Sequence, residues 1–280
     1  VLAVAYLEAT GAETLLARAF EGRTVRMIFL AALLGGLSPF CSCGVIPLIA
    51  ARWMGMGWEI IFPIYSAAVL LTIIILAFTK IQEEKPKSGQ HASFSSSLRL
   101  LADPFVFMMV LGIFVYVGAE VSMSSTIPLY LEDKYGIDIK TLGVAGSGFF
   151  FIAIMTGRFL GSVILSWINA KRFLTITGIV SILGITGLFV GNQWVAVVSI
   201  FITGLGFANV FPLIFSITVD RMPARSNELS GLMVTAILGG AILPLLTGVV
   251  SDLANVTTGF IVPLLALAYV LLVSLKIMRS

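Results

Sequence analysis

The sequence predicts an all-α fold, a polytopic membrane helix bundle, and three observations carry that prediction. Of the 280 residues, 59% are hydrophobic and only 11% charged, where soluble domains carry about 25% charged residues; mean hydropathy is +1.07. Apolar runs long enough to cross a bilayer recur along the chain. The basic residues, with a net charge of +3, collect at the ends of those runs, where they orient spans in the lipid bilayer. Nothing in this distribution calls for nucleic acid. Cys41 and Cys43 stand too close together to close a useful disulfide.

The first 24 residues mix apolar positions with Glu8, Glu13, Arg18, Glu21 and Arg23, and Leu15, Leu16 and Phe20 suit one side of an interfacial helix. A start at Val1 rather than Met points to a processed, trimmed or incomplete N-terminus. From Val25 the chain turns apolar and then meets Gly35-Gly36-Leu37-Ser38-Pro39-Phe40-Cys41-Ser42-Cys43-Gly44-Val45-Ile46-Pro47. Glycines and prolines at membrane depth predict a broken helix, because each proline withholds a donor and unwound backbone needs protein or a water-filled cavity around it. Cys41 and Cys43 then have two readings: ligands for a soft metal or metalloid, or small apolar fillers of a kink.

Residues 58–80 read as a lipid-facing span and 81–103 as a polar, mobile cytoplasmic linker with Glu83, Glu84, Lys85, Lys87 and a serine run. His91 in that stretch reads as a solvated side chain. Asp103 and Pro104 form an N-cap and first-turn proline, and the following run stays apolar to Tyr130 apart from Glu120. Tyr116, Glu120 and Ser124 are four residues apart and share one helix face. A charged carboxylate is costly in that setting, so the face is expected to line a cavity or meet another helix. Further spans are expected at about 141–166, 172–191, 194–219, 229–251 and 258–277. With the linker in the cytoplasm, alternation leaves ten basic residues inside (Lys80, Lys85, Lys87, Arg99, Lys171, Arg172, Arg221, Arg225, Lys276, Arg279) against Lys134 and Lys140 outside. That asymmetry places the C-terminus in the cytoplasm.

Two stretches resemble known families. Ser38 to Leu48, with its Cys-Ser-Cys-Gly core, looks like the signature of predicted permeases that include organoarsenical exporters. The likeness covers residues 1–57 and implies Cys41 and Cys43 as contacts for a thiophilic substrate. From about residue 58 the chain instead resembles the fucose/glucose/galactose permease branch of the major facilitator superfamily. The residues that carry this are Tyr116-Val117-Gly118-Ala119-Glu120, Gly157-Arg158-Phe159-Leu160-Gly161, Gly204 through Ser216, and Gly239-Gly240-Ala241-Ile242-Leu243-Pro244. This resemblance implies that residues 104–280 are a six-helix C-terminal half in a bacterial-type inner membrane, carrying out proton-coupled sugar uptake. It also implies that a cavity-completing half is supplied by an absent N-terminal half or by a homodimer. The junction near Trp58 reads as a fusion of two permease pieces.

For sugar transport, the expected substrate-binding set is Tyr116, Glu120, Ser124 and Asn209, with Glu120 as the proton-coupling group. Asn209 is equally well read as interhelical glue, and Pro212, one turn on, frees a carbonyl. Phe149, Phe150, Phe151, Phe207 and Phe211 suit packing or lipid contact better than stacking on a sugar. Arg158, between Gly157 and Gly161, needs an acid; Asp220 is the expected partner and Glu228 the second, forming a cytoplasmic gate latch, while headgroup snorkelling is the alternative. No Ser/His/acid set, metal cluster or phosphate loop is present in the sequence, so neither an enzyme nor a cofactor is expected. Export of a thiophilic metalloid and a non-transporting membrane fragment are the competing functions.

Overall fold

In the computed structural model, residues 94–137 and 144–279 are described, together with Pro63, Ser66, Ala67 and Leu70. The chain divides into two compact units, Val1–His91 and Ala92–Ser280. Of the first, only those four positions are described, each helical and exposed. The expected broken helix over residues 1–57, most of the expected 58–80 span, and Cys41 and Cys43 lie outside the described residues.

The second unit is entirely helical among its described residues. Its elements are α1 (Phe94–Leu100), α2 (Pro104–Tyr135), α3 (Val144–Ile164), α4 (Ala170–Gly187), α5 (Gln193–Phe207), α6 (Val210–Arg221), α7 (Ser226–Thr235), α8 (Gly239–Leu253), α9 (Val256–Gly259) and α10 (Ile261–Arg279). Short 3-10 turns join some of them, notably Ala236–Leu238 between α7 and α8. By length and hydropathy they make six membrane-crossing stretches: Pro104–Tyr135, Gly146–Ile164, Ala170–Val190, Gln193–Arg221, Pro223–Leu253 and Val256–Arg279. The six spans expected after residue 103 are present, with ends moved by a few residues.

The ends follow from local chemistry. Asp103 Oδ1 accepts from the N–H groups of Phe105 at 2.8 Å and Val106 at 3.3 Å, capping α2. Gly136 closes α2 in a left-handed conformation, φ 64°, which glycine adopts without a Cβ penalty. Asn169, Asn192 and Asn255 cap α4, α5 and α9 through their side-chain oxygens. The stretch read as linker ends differently from expectation. Phe94 to Leu100 is helical, and Leu100 is buried with Val106, Leu229 and Leu232, because its leucines supply an apolar side that a solvated linker lacks.

α2 is the central helix, packed by α3, α6, α8 and α10. Tyrosines fasten it along its length: Tyr269 donates to the Met108 carbonyl at 3.1 Å, and Tyr130 to the Leu188 carbonyl at 2.7 Å. Small residues allow close helix contact elsewhere. Gly184 lies against Thr203 and Gly206 against Ser181, joining α4 to α5. Large apolar side chains such as Leu183, Leu245, Leu265 and Leu272 remain exposed, as a lipid-facing surface requires.

Candidate functional site

The span Gln193–Arg221 is not one continuous helix. α5 ends at Phe207 and α6 begins at Val210, with Ala208 and Asn209 between them, near the middle of a 29-residue span. Pro212 accounts for the break: it has no N–H for the Ala208 carbonyl four residues back, and its ring crowds that carbonyl. Three residues singled out from sequence converge here, two from neighbouring helices and one from the break itself. Tyr116 of α2, completely buried, donates its hydroxyl to the Phe207 carbonyl at 2.8 Å. Arg158 of α3 donates from Nε to the Ala208 carbonyl at 3.3 Å. Asn209 donates from Nδ2 to the Gly157 carbonyl at 2.7 Å.

The fit is close because α3 is small at that level. A Cβ on Gly157 would stand 2.6 Å from the Ala208 Cβ, and one on Gly161 would overlap the Asn209 amide. Two adjacent residues of α3, Gly157 and Arg158, thus exchange hydrogen bonds with Ala208 and Asn209. Asn209 takes the interhelical role that was one of its two readings. Around the break, Phe207 packs on Tyr116 and Phe150 with ring centroids 5.6 and 5.7 Å apart. Phe150, Phe151 and Phe207 are buried packing, while Phe211 stacks on Phe215.

Glu120 stands one turn beyond Tyr116 and is half-buried, as is Ser124. The Ser124 hydroxyl donates back to the Val121 carbonyl at 2.9 Å, so its side chain is satisfied within α2. The Ser124 carbonyl accepts from Ser147 Oγ at 2.7 Å.

The two residues expected to form the gate latch are placed as follows. Among the contacts of the described residues, none joins Arg158 to Asp220. Arg158 is held at Ala208, twelve residues before Asp220, and α6 rises about 1.5 Å per residue, so the two ends are about 18 Å apart. Asp220 is exposed and accepts from Ser216 Oγ at 3.2 Å, and Glu228 pairs with Arg225 at 2.5 Å. Ser147 was missed in the sequence. The available signal was Pro128, which frees the Ser124 carbonyl in the way Pro212 frees that of Ala208. Among the described residues no cluster of three or more His, Cys, Asp or Glu side chains is placed to hold a metal.

Comparison with known proteins agrees with this architecture. The family profile of the Major Facilitator Superfamily matches residues 7–243, a match that runs across the position near Trp58. A glucose/galactose transporter of Brucella abortus is 29% identical over 216 residues, covering 75% of this chain and 51% of the relative. The L-fucose-proton symporter of Escherichia coli is 27% identical over 217 residues, covering 75% and 49%. None of the relatives named here is an arsenical exporter. The chain spans about half the length of the curated relatives it matches. In fold, it superimposes on the crystal structure of the Major Facilitator Superfamily transporter FucP in its outward conformation with a TM-score of 0.70. That match is at 23% identity and covers 79% of this chain and 54% of FucP. Proteins of this superfamily are membrane-embedded secondary transporters rather than enzymes. On the extent of the profile match and the six-span helical fold, the chain belongs to the Major Facilitator Superfamily.

Proposed function

We propose that the six described spans form one half of a sugar transporter of the fucose/glucose/galactose type, coupled to protons through Glu120. The observation that carries the reading is the interrupted span: a helix broken near mid-membrane, with polar side chains from two neighbours at the break. Discontinuous helices at that depth are where secondary transporters form substrate sites. The names of the relatives supply the substrate class. Within this reading Glu120 and Ser124 lie on the substrate side of α2. Tyr116 and Asn209, whose polar groups are engaged with backbone carbonyls, shape the site rather than exchange bonds with sugar hydroxyls.

A cavity between two six-helix bodies needs both for selectivity and alternating access. The chain reconstituted alone in liposomes is therefore expected to give no saturable uptake of labelled glucose, galactose or fucose. Co-reconstituted with the first six helices of the Brucella relative, it is expected to give saturable, gradient-driven uptake. Uptake by neither preparation would sink the reading.

The same proposal places the C-terminus in the cytoplasm, from the basic asymmetry. With Cys41 and Cys43 replaced by serine, a cysteine at exposed Glu132 should react with an impermeant thiol reagent in intact cells. One at exposed Arg279 should not, and the reverse pattern would overturn the orientation.

A further inference from the structure

Two spans packed against α3 contain an internal proline, and each proline leaves one carbonyl without its helical donor. Pro128 of α2 frees the Ser124 carbonyl; Pro212 of α6 frees that of Ala208. In both cases the replacement donor comes from α3: Ser147 Oγ to the Ser124 carbonyl at 2.7 Å, and Arg158 Nε to the Ala208 carbonyl at 3.3 Å. The two donors are eleven residues apart, three turns with about 20° left over, so they stand on one stripe of α3 separated by about 16 Å. Ser147 is buried and Arg158 half-buried, on the side of α3 where Gly157 and Gly161 admit the neighbouring span.

We propose that α3 is a staple: Ser147 and Arg158 are positioning residues that donate the hydrogen bonds Pro128 and Pro212 withhold, and so fix the bends of two spans at once. Those spans carry the Tyr116-Glu120-Ser124 face and the Ala208–Asn209 break. The staple itself stands independently of the sugar-transport reading; only its consequence for transport rests on it. Movement of α3 then carries both bent spans with it, and loss of either donor loosens one bend while leaving the other in place.

Substitution cycles on the full chain test this. Ser147→Ala and Arg158→Leu remove the donors, and Pro128→Ala and Pro212→Ala restore the main-chain N–H groups. Each donor substitution is expected to lower the apparent melting temperature in detergent by about 2–5 °C. At least half of that loss should vanish when the matched proline is also replaced. Any other contact of Arg158 is lost in both backgrounds and cancels in the cycle. The crossed pairs, Ser147→Ala with Pro212→Ala and Arg158→Leu with Pro128→Ala, should add.

A second readout separates positioning from mere stabilisation. Spin labels at the exposed positions Val198 and Ser216, in the background lacking Cys41 and Cys43, straddle the break. Arg158→Leu should broaden the distance distribution, and adding Pro212→Ala should narrow it again. Additive matched pairs, or a distribution unchanged by Arg158→Leu, would overturn the staple. Should Arg158→Leu not yield folded protein, Arg158→Gln carries the same cycle with a smaller expected loss.

Discussion

Two of the six spans are interrupted near their middles, and they are held in different ways. An 18-residue apolar stretch of the span Gln193–Arg221 is 61% buried, whereas the corresponding stretch of Pro223–Leu253 is 28% buried. The first break, at Ala208–Asn209, is held by side-chain hydrogen bonds from Tyr116 and Arg158 and by the Asn209 amide. The second, through the 3-10 turn Ala236–Leu238 into α8, is held by backbone proximity. Gly239 lies directly on the Phe114 main chain, and a Cβ on Gly118 would stand 2.7 Å from the Gly239 carbonyl and 2.6 Å from the Leu243 Cβ. Hydrogen bonds of this kind in a membrane are worth about 0.6 kcal/mol on average and rarely above about 2, so the first break is adjustable. Steric contact is not graded in that way, so the second is a fixed seat for α8 on α2.

The comparison fails or sharpens according to how unequal the substitutions at the two breaks are. The largest effect is expected at Gly239→Val, whose branched side chain has no room against Phe114. The cost is about 3 kcal/mol or more, read as loss of monodisperse protein on extraction. At the polar break, Asn209→Ala removes a bond and the filling of the Gly161 notch, costing about 1–2 kcal/mol and a few degrees of melting temperature. Tyr116→Phe keeps the ring contacts with Phe207 and loses only the hydroxyl bond, about 0.5–1.5 kcal/mol. Gly248→Ala on α8, where a Cβ meets nothing within 4 Å, is expected to be neutral or to stabilise by up to about 1 kcal/mol through helix propensity. A Gly239→Val protein that melts like the parent would erase the distinction between the two breaks.

Much of this was legible in the sequence because bilayer physics is blunt. Apolar length gave the six spans after residue 103, and Asp103-Pro104 marked the start of α2 to the residue. Pro212 announced a freed carbonyl and Gly157/Gly161 a close helix approach; the structure shows those to be the same place. What the sequence could not disclose was the pairing. Arg158 called for a partner, and an acid was the natural guess. A backbone carbonyl released by a proline fifty-four residues away also accepts from its guanidinium, yet such an acceptor leaves no mark in side-chain chemistry. Tyr130 and Tyr269 escaped for a similar reason, since their acceptors, Leu188 and Met108, are main-chain oxygens that every residue possesses. The Cys41-Ser42-Cys43 stretch lies outside the described residues.

Glu120 provides the most direct test of the transport account. In the chain joined to a complementary six-helix half, Glu120→Gln preserves shape and much of the hydrogen bonding while removing the titrating group. Sugar counterflow, which needs no proton gradient, and gradient-driven accumulation should be measured on the same preparation. The account predicts that counterflow survives within about threefold while accumulation falls at least about tenfold, a separation of roughly 0.7 kcal/mol or more between the two activities. Accumulation at the parent level with glutamine at position 120 would contradict it.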